Sequence, residues 1–323
     1  MLYSIPGFEK IPSNLIYSFA LVFALLLDTA LLLTLKNKLP KDQGREHAVD
    51  GELSAGKPKA AGILFITAFA LSSLLFIPFN LESAAYIGLV ILGMFSGFFD
   101  DKSKKPWGEY KKGVIDLFLG AAVAAAFIFF NPALHSVQLG GFVWQVPKVL
   151  FGLAATVLVW VSINATNCSD GIDGFSGSLS LISIASLSIY IFYAQRNDNI
   201  LLMAALMGAV LLPYLWLNAE PSKLMMGDAG SRAIGLFISI LALKTGNALL
   251  FIPLCLVLIF NGTISIVKVS LIRFLRINPL KNIRTPFHDH LRKNRGWSNT
   301  QTIYRLCIVQ LAVSALTLLL LYK

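Results

Sequence analysis

Only 17 of the 323 residues are Asp or Glu. Several of them sit at the edges of long apolar runs, where a charge beside hydrocarbon is expensive unless it is used. Four stretches stand out. The first is Gly97-Phe98-Phe99-Asp100-Asp101-Lys102-Ser103-Lys104, with two adjacent carboxylates backed by lysines. The second runs Asn164-Ala165-Thr166-Asn167-Cys168-Ser169-Asp170-Gly171-Ile172-Asp173-Gly174. The third is Met225-Met226-Gly227-Asp228-Ala229-Gly230-Ser231, and the fourth Thr285-Pro286-Phe287-His288-Asp289-His290. Carboxylates mixed with lysines, histidines, asparagines and tight Gly turns suit a magnesium and phosphate site, because Mg²⁺ prefers hard oxygen ligands and keeps several waters. Phosphoryl transfer needs mainly positioning and charge neutralisation, which a metal and flanking lysines supply. Taken singly, each stretch also reads as a solvated turn or a helix cap. Asp100 and Asp101 resist that reading most, since neighbouring like charges repel unless a cation intervenes.

The elements that must position these residues are membrane helices. Of the chain, 56% is apolar and only 14% charged, against about 25% charged in ordinary soluble domains. The apolar residues arrive in blocks close to the roughly 20 residues that carry a helix across a bilayer with every backbone group satisfied internally. Ten spans are expected: 15–35, 60–79, 83–99, 114–130, 149–163, 175–194, 200–217, 233–243, 248–267 and 302–322. The fold class is therefore an all-α polytopic integral membrane protein, with residues 1–323 forming a single transmembrane catalytic domain. Cys168, Cys255 and Cys307 are odd in number and lack CxxC spacing, which supports neither a disulfide framework nor a zinc site. The first apolar block is too long for a secretory signal and lacks a small-residue cleavage site. Asp28 lies inside the first span, where it suits a contact within the bundle or between copies, and no catalytic role is assigned to it.

The net charge of +10 is unevenly placed. With ten alternating spans, 22 of the 27 Lys and Arg fall in one set of loops and span ends, and such an excess marks the cytoplasmic side. Both termini are then expected outside. All four acidic and histidine stretches fall on the cytoplasmic face, although that topology made no use of them. Topology and attraction to anionic headgroups account for most of the charge, and no nucleic-acid module stands apart from the spans. The loop from Lys268 to Gln301 mixes basic residues with Leu271, Ile272, Phe274, Leu275 and Leu280, a composition suited to lying on a membrane surface.

These motifs resemble the polyprenyl-phosphate N-acetylhexosamine-1-phosphate transferases. Phe98-Phe99-Asp100-Asp101, Asn164-Ala165-Thr166-Asn167 with Asp170-Gly171-Ile172-Asp173-Gly174, and Met226-Gly227-Asp228-Ala229-Gly230-Ser231 carry the likeness. Pro286-Phe287-His288-Asp289-His290 followed by Gly296-Trp297 and Arg305 is similar to the phospho-N-acetylmuramoyl-pentapeptide transferase branch. The resemblance implies ten spans and transfer of phospho-MurNAc-pentapeptide from a UDP carrier to undecaprenyl phosphate, making lipid I and UMP in bacterial peptidoglycan synthesis at the cytoplasmic membrane. It implies Mg²⁺ held by Asp228, with Asp100, Asp101 and Asp228 catalytic. It also implies substrate contacts from Lys104, Asn164, Asn167, Asp170, Asp173, Asn218, Met225, His288 and His290. The oligomeric state stays open, a homodimer being compatible with the likeness.

The chain departs from the family pattern at several points. Asp289 stands where the family has a middle histidine, and Met225 where an aromatic could stack on uracil. Lys57-Pro58-Lys59-Ala60-Ala61-Gly62 replaces a Thr-Pro-Thr-x-Gly-Gly pattern. Either Lys111 or Lys112 could supply a further family lysine. Two other functions compete: a GlcNAc-1-phosphate transferase of the same superfamily, and a transporter using intramembrane acids. A transporter predicts charges near mid-bilayer in broken helices, whereas here only Asp28 lies deep.

Overall fold

The computed structural model describes residue 2 and residues 11–44, 54–103, 105–140, 142–194 and 198–322. Among these, every expected span is helical: α1 (Ser13–Leu35), α2 (Gly62–Phe76), α3 (Leu81–Lys102), α4 (Glu109–Phe130), α5 (Lys148–Ser169), α6 (Phe175–Tyr193) and α7 (Asp198–Asn218). After them come α8 (Gly227–Lys244), the four-residue α9 (Phe251–Leu254), α10 (Leu256–Ser270), α11 (Phe287–Arg295) and α12 (Asn299–Leu321). At two of the starts a capping side chain meets the apolar run. Asn80 accepts from Ser83 N at 2.7 Å before α3, and Ser298 with Gln301 closes a capping box before α12.

Eight of these helical stretches are long and apolar enough to cross a membrane, so the protein is an all-α polytopic membrane protein. Two of the ten expected spans fall short of that standard. α2 has only 15 residues, and α8 carries Asp228, Arg232 and Lys244 among its 18. The charges explain why α8 is wholly buried: facing lipid would strand them in hydrocarbon, so the remaining helices wrap it. α3, α5, α2 and α6 pack directly on it. Small residues allow the close approach, Gly62 meeting Gly230, Gly97 meeting the Asp228 backbone and Gly235 meeting Ser162 and Ile163.

The ninth expected span, 248–267, is interrupted. Pro253 has no N–H to donate, and at Cys255 the backbone turns to φ −128° and ψ 22°. The crossing stretch is therefore displaced to Leu256–Leu275, its end a π-helical turn over Leu271–Leu275. A buried side chain from α12 repairs the break: Gln310 accepts from Val257 N at 2.8 Å and donates to Pro253 O at 3.2 Å.

The two ends of α8 lie about 24 Å apart at 1.5 Å per residue and differ in chemistry. Asp228 begins the helix, while Lys244 ends it, pairing with Glu82 at 2.7 Å and donating to Asn131 Oδ1 at 2.9 Å. Beside Lys244, a small departure from an all-helical chain appears. Strands β1 (Ser136–Leu139) and β2 (Phe142–Gln145) form an antiparallel hairpin with Leu139 opposite Phe142. Asn247 ties it to the α8 end, accepting from Gln138 N and donating to Gln138 O at 2.9 Å. Asp28 is buried on the inner stripe of α1, and neither carboxylate oxygen has a hydrogen-bond partner among the described residues.

Candidate functional site

Successive residues on a helix point about 100° apart, and the last turn of α3 uses this to send two adjacent carboxylates in different directions. Asp101 turns onto the start of α8, where the free N–H groups favour an anion. Its Oδ2 accepts from Ala229 N at 3.0 Å, and its Oδ1 meets Lys59 Nζ at 3.0 Å. Gly227 makes room for that carboxylate, because a Cβ there would collide with it and φ is +68°. Asp100 turns to the open side. Its Oδ1 accepts from Trp107 N at 2.7 Å, and its Oδ2 pairs with Lys112.

Lys112 also lies 2.9 Å from Asp228 Oδ2, so one ammonium bridges Asp100 and Asp228. Asn167 steadies the other oxygen of Asp228 at 2.9 Å and donates to Ser231 Oγ at the same distance. Of the two lysines, helical phase turns Lys112 into the cavity, while Lys111 lies 3.6 Å over the Trp107 ring. Sequence reasoning missed three further members of this cluster, Lys59 on Asp101 and the buried pair Arg232–Asp116 at 3.1 Å. The helical spacing was available as a signal, since Arg232 follows Asp228 by four residues and Asp116 follows Lys112 by four.

Asp100, Asp101, Asp228, Lys59, Lys112 and Asn167 line one cavity of about 250 Å³, shared with Lys41, Asp42, Ser103 and Asp170. Five carboxylates and three lysines face it. Such a surplus of oxygen anions repels a phosphate until a cation joins them, and the bridging ammonium already marks where positive charge is favoured. Among the described residues no three His, Cys, Asp or Glu side chains converge as a closed metal cage. The open pair Asp100 and Asp228 suits Mg²⁺ better than a cage would, because that ion usually takes one or two carboxylates and completes its shell with water and substrate phosphate.

The other expected site residues divide by position. Asp170 lines the cavity. Asp173 lies beyond it, 3.4 Å from Lys57 and accepting from Ser222 N at 3.2 Å. Asn164 sits below, its amide 3.4 Å from Asp116 Oδ2. Asn218 is buried, accepting from Gly174 N and donating to Leu224 O, each at 2.8 Å, so its amide clamps two loops together. Met225 holds the 58–62 segment through its backbone, donating to Pro58 O and accepting from Ala61 N. Lys104 lies outside the described residues.

His288 begins α11 and is buried against the Gly171 backbone, edge-on to Phe175. Asn261 Oδ1 accepts from its backbone N and from its Nδ1, which leaves Nε2 as the acceptor nitrogen, 3.6 Å from Asp289 Oδ1. Burial pushes this imidazole down to about 3, with Arg292 acting in the same direction. His290 instead stacks on Phe287 and accepts from Arg284 N. Asp289, in the place of the middle histidine, lies 3.4 Å from Arg292. Burial raises its carboxyl above the usual range against the pull of Arg292 and Arg284.

A bundle of membrane-crossing helices with a lysine-bridged carboxylate cavity at one end is the class of molecule in hand. A family model described as glycosyl transferase family 4 matches residues 83–246, which contain Asp100, Lys112, Asn167 and Asp228. The chain is 36% identical over 290 aligned positions to the phospho-N-acetylmuramoyl-pentapeptide-transferase of Treponema pallidum, covering 84% of this chain and 80% of that protein. It is 28% identical to the protein of that name from Borreliella burgdorferi, covering 93% of this chain and 92% of that one. With that of Dictyoglomus thermophilum the identity is 26%, over 80% and 81%. The chain thus belongs to glycosyl transferase family 4, in its phospho-N-acetylmuramoyl-pentapeptide transferase branch.

Proposed function

We propose that this chain transfers phospho-MurNAc-pentapeptide from its UDP-linked donor to undecaprenyl phosphate, releasing UMP and forming lipid I. The reaction takes place at the cytoplasmic face of a bacterial cell membrane, with both chain termini outside and residues 1–323 forming one catalytic unit, as a monomer or homodimer. Family membership supports the reading, and one observation carries it: Lys112 bridges Asp100 and Asp228 inside a cavity that also takes Asn167 and Asp170.

A lipid phosphate oxygen attacks the β-phosphorus of the donor, and the bond from that phosphorus to the oxygen of UMP breaks. Both reactants are anions, so their approach is the difficulty. Mg²⁺, held by Asp228 with Asp100, would neutralise charge on the donor's pyrophosphate. Lys112 and Lys59 add fixed positive charge on either side. A phosphate monoester has its second pKa near 6, so much of the acceptor enters as a dianion, and Asp100 takes the residual proton. Asp101 keeps the α8 start in place, and Asn167 orients Asp228. Asp170, Asp173, Asn164, Asn218, Met225, His288, His290 and Lys104 serve the nucleotide and sugar side, directly or by holding its loops. Direct displacement is favoured over a phospho-aspartate, because the acceptor is already nucleophilic.

The test is UMP release from UDP-MurNAc-pentapeptide, with and without Mg²⁺ and undecaprenyl phosphate, with UDP-GlcNAc as the competing donor. Release should need all three components. Asp100→Ala and Asp228→Ala should each lower turnover about a thousandfold or more while leaving the melting midpoint near that of the parent. Near-parental turnover in either variant would defeat the assignment, and an acid-labile phospho-enzyme formed without acceptor would overturn the single step.

A further inference from the structure

Below the cavity lies a charge pair that the proposed reaction does not use. Arg232 and Asp116 side chains are each 2% exposed and 3.1 Å apart, a pair buried deep enough to escape most screening by water and salt. Arg232 follows Asp228 by one helical turn on α8, the spacing at which Asp and Arg ordinarily join. Here the pair stays loose: Arg232 Nε lies 3.8 Å from Asp228 Oδ2, close enough to attract but beyond hydrogen-bond reach. Its Nη1 is drawn the other way, to Asp116 Oδ1 and to Ser96 Oγ at 3.2 Å. Asp116 is anchored in turn from α5. Asn164 reaches its second oxygen at 3.4 Å, and Asn164 is itself fixed by donating to Trp160 O at 2.9 Å.

We propose that Asp116 is a positioning residue that keeps the Arg232 guanidinium from closing the 3.8 Å gap onto Asp228, leaving that carboxylate available to a divalent cation. The inference rests on the metal-binding role proposed for Asp228. A guanidinium is permanently charged and forks readily onto a carboxylate. Without Asp116, the carboxylate left within its reach is Asp228, where it competes with the metal directly. Partners one step removed from a metal commonly change its affinity about 10- to 100-fold when altered, and a loss within that range is expected here.

The experiment titrates Mg²⁺ against the detergent-solubilised protein and follows both the thermal midpoint and UMP release. Asp116→Asn should raise the half-saturating Mg²⁺ concentration by about tenfold or more in both readouts, with turnover at saturating Mg²⁺ largely retained. Asp116→Glu, which can still engage the guanidinium, should stay close to the parent. The double variant Asp116→Leu with Arg232→Leu removes holder and competitor together, and should return the half-saturating concentration to the parental value or below. A merely structural role predicts lower midpoints with unchanged Mg²⁺ dependence, and that result in Asp116→Asn would sink the proposal. If Asp116→Asn does not fold, the double variant decides alone: metal dependence weaker than the parent's overturns the idea, and dependence equal or stronger supports it. A parent protein with no Mg²⁺ response in either readout would instead remove the metal reading itself, and this inference with it.

Discussion

At the scale of single residues, His288 shows how burial sets a protonation state. Its imidazole stays neutral down to about 3, whereas an unconstrained histidine takes up its proton near 6.5. Between those values the unfolded chain binds more protons than the fold, so stability falls as pH drops through that window, by up to about 1.4 kcal/mol per pH unit. His288→Asn, which keeps a polar edge for Asn261 but cannot titrate, should lose less of its melting midpoint than the parent between about pH 7 and pH 5. Equal losses would refute a buried neutral histidine. Four of the five acidic side chains of the cavity, Asp100, Asp101, Asp170 and Asp228, were legible in the sequence, because a carboxylate beside an apolar run is conspicuous; Asp42 was not singled out. The partners of these side chains were not legible. Lys112 and Asp228 are separated by 116 residues, and nothing local to either announces the other. Which of Lys111 and Lys112 turns inward depends on the phase of α4, and a sequence with an unfixed helix start leaves that phase undetermined.

At the scale of elements, hydropathy located the apolar helices but missed the polar α11 and the break in the ninth span. An apolar count does not register that Pro253 removes a donor, nor that Cys255 leaves helical geometry. The repair comes from α12, over fifty residues later in the chain, so the evidence for it is also non-local. Gln310 is fully buried there and also donates to Ser314 Oγ at 2.9 Å. Gln310→Leu keeps the volume but strands Val257 N and Pro253 O, and each unpaired buried backbone group costs about 1–3 kcal/mol. The expected outcome is a clearly lower melting midpoint, with substrate KM unchanged in the fraction that stays folded. A midpoint equal to the parent's would mean that the break needs no external partner. α8 shows the converse case. Its charges keep it from qualifying as a lipid-facing span, and the same charges explain why it occupies the middle of the bundle.

At the scale of the whole molecule, the organising fact is that the ends of the bundle differ. Asp100, Lys112, Asn167, Asp170 and Asp228 gather at one end, while Lys244, Glu82, Asn131 and the hairpin gather at the other. Loops at the first end hold most of the lysines and arginines, and the rule that keeps such loops inside leads us to expect that end in the cytoplasm, where nucleotide donors are made. The assignment can be checked without any assay of the reaction. In a background with Cys168, Cys255 and Cys307 replaced, a single cysteine at exposed Val143 of the hairpin should react with a membrane-impermeant thiol reagent in intact cells. One at exposed Asn282, between α10 and α11, should react only after the membrane is opened. The two positions flank opposite ends of the same bundle, so reversal of both results would invert the protein in its membrane. That inversion would put the carboxylate cavity on the side that lacks nucleotide donors, and the proposed reaction would then have no route to its substrate.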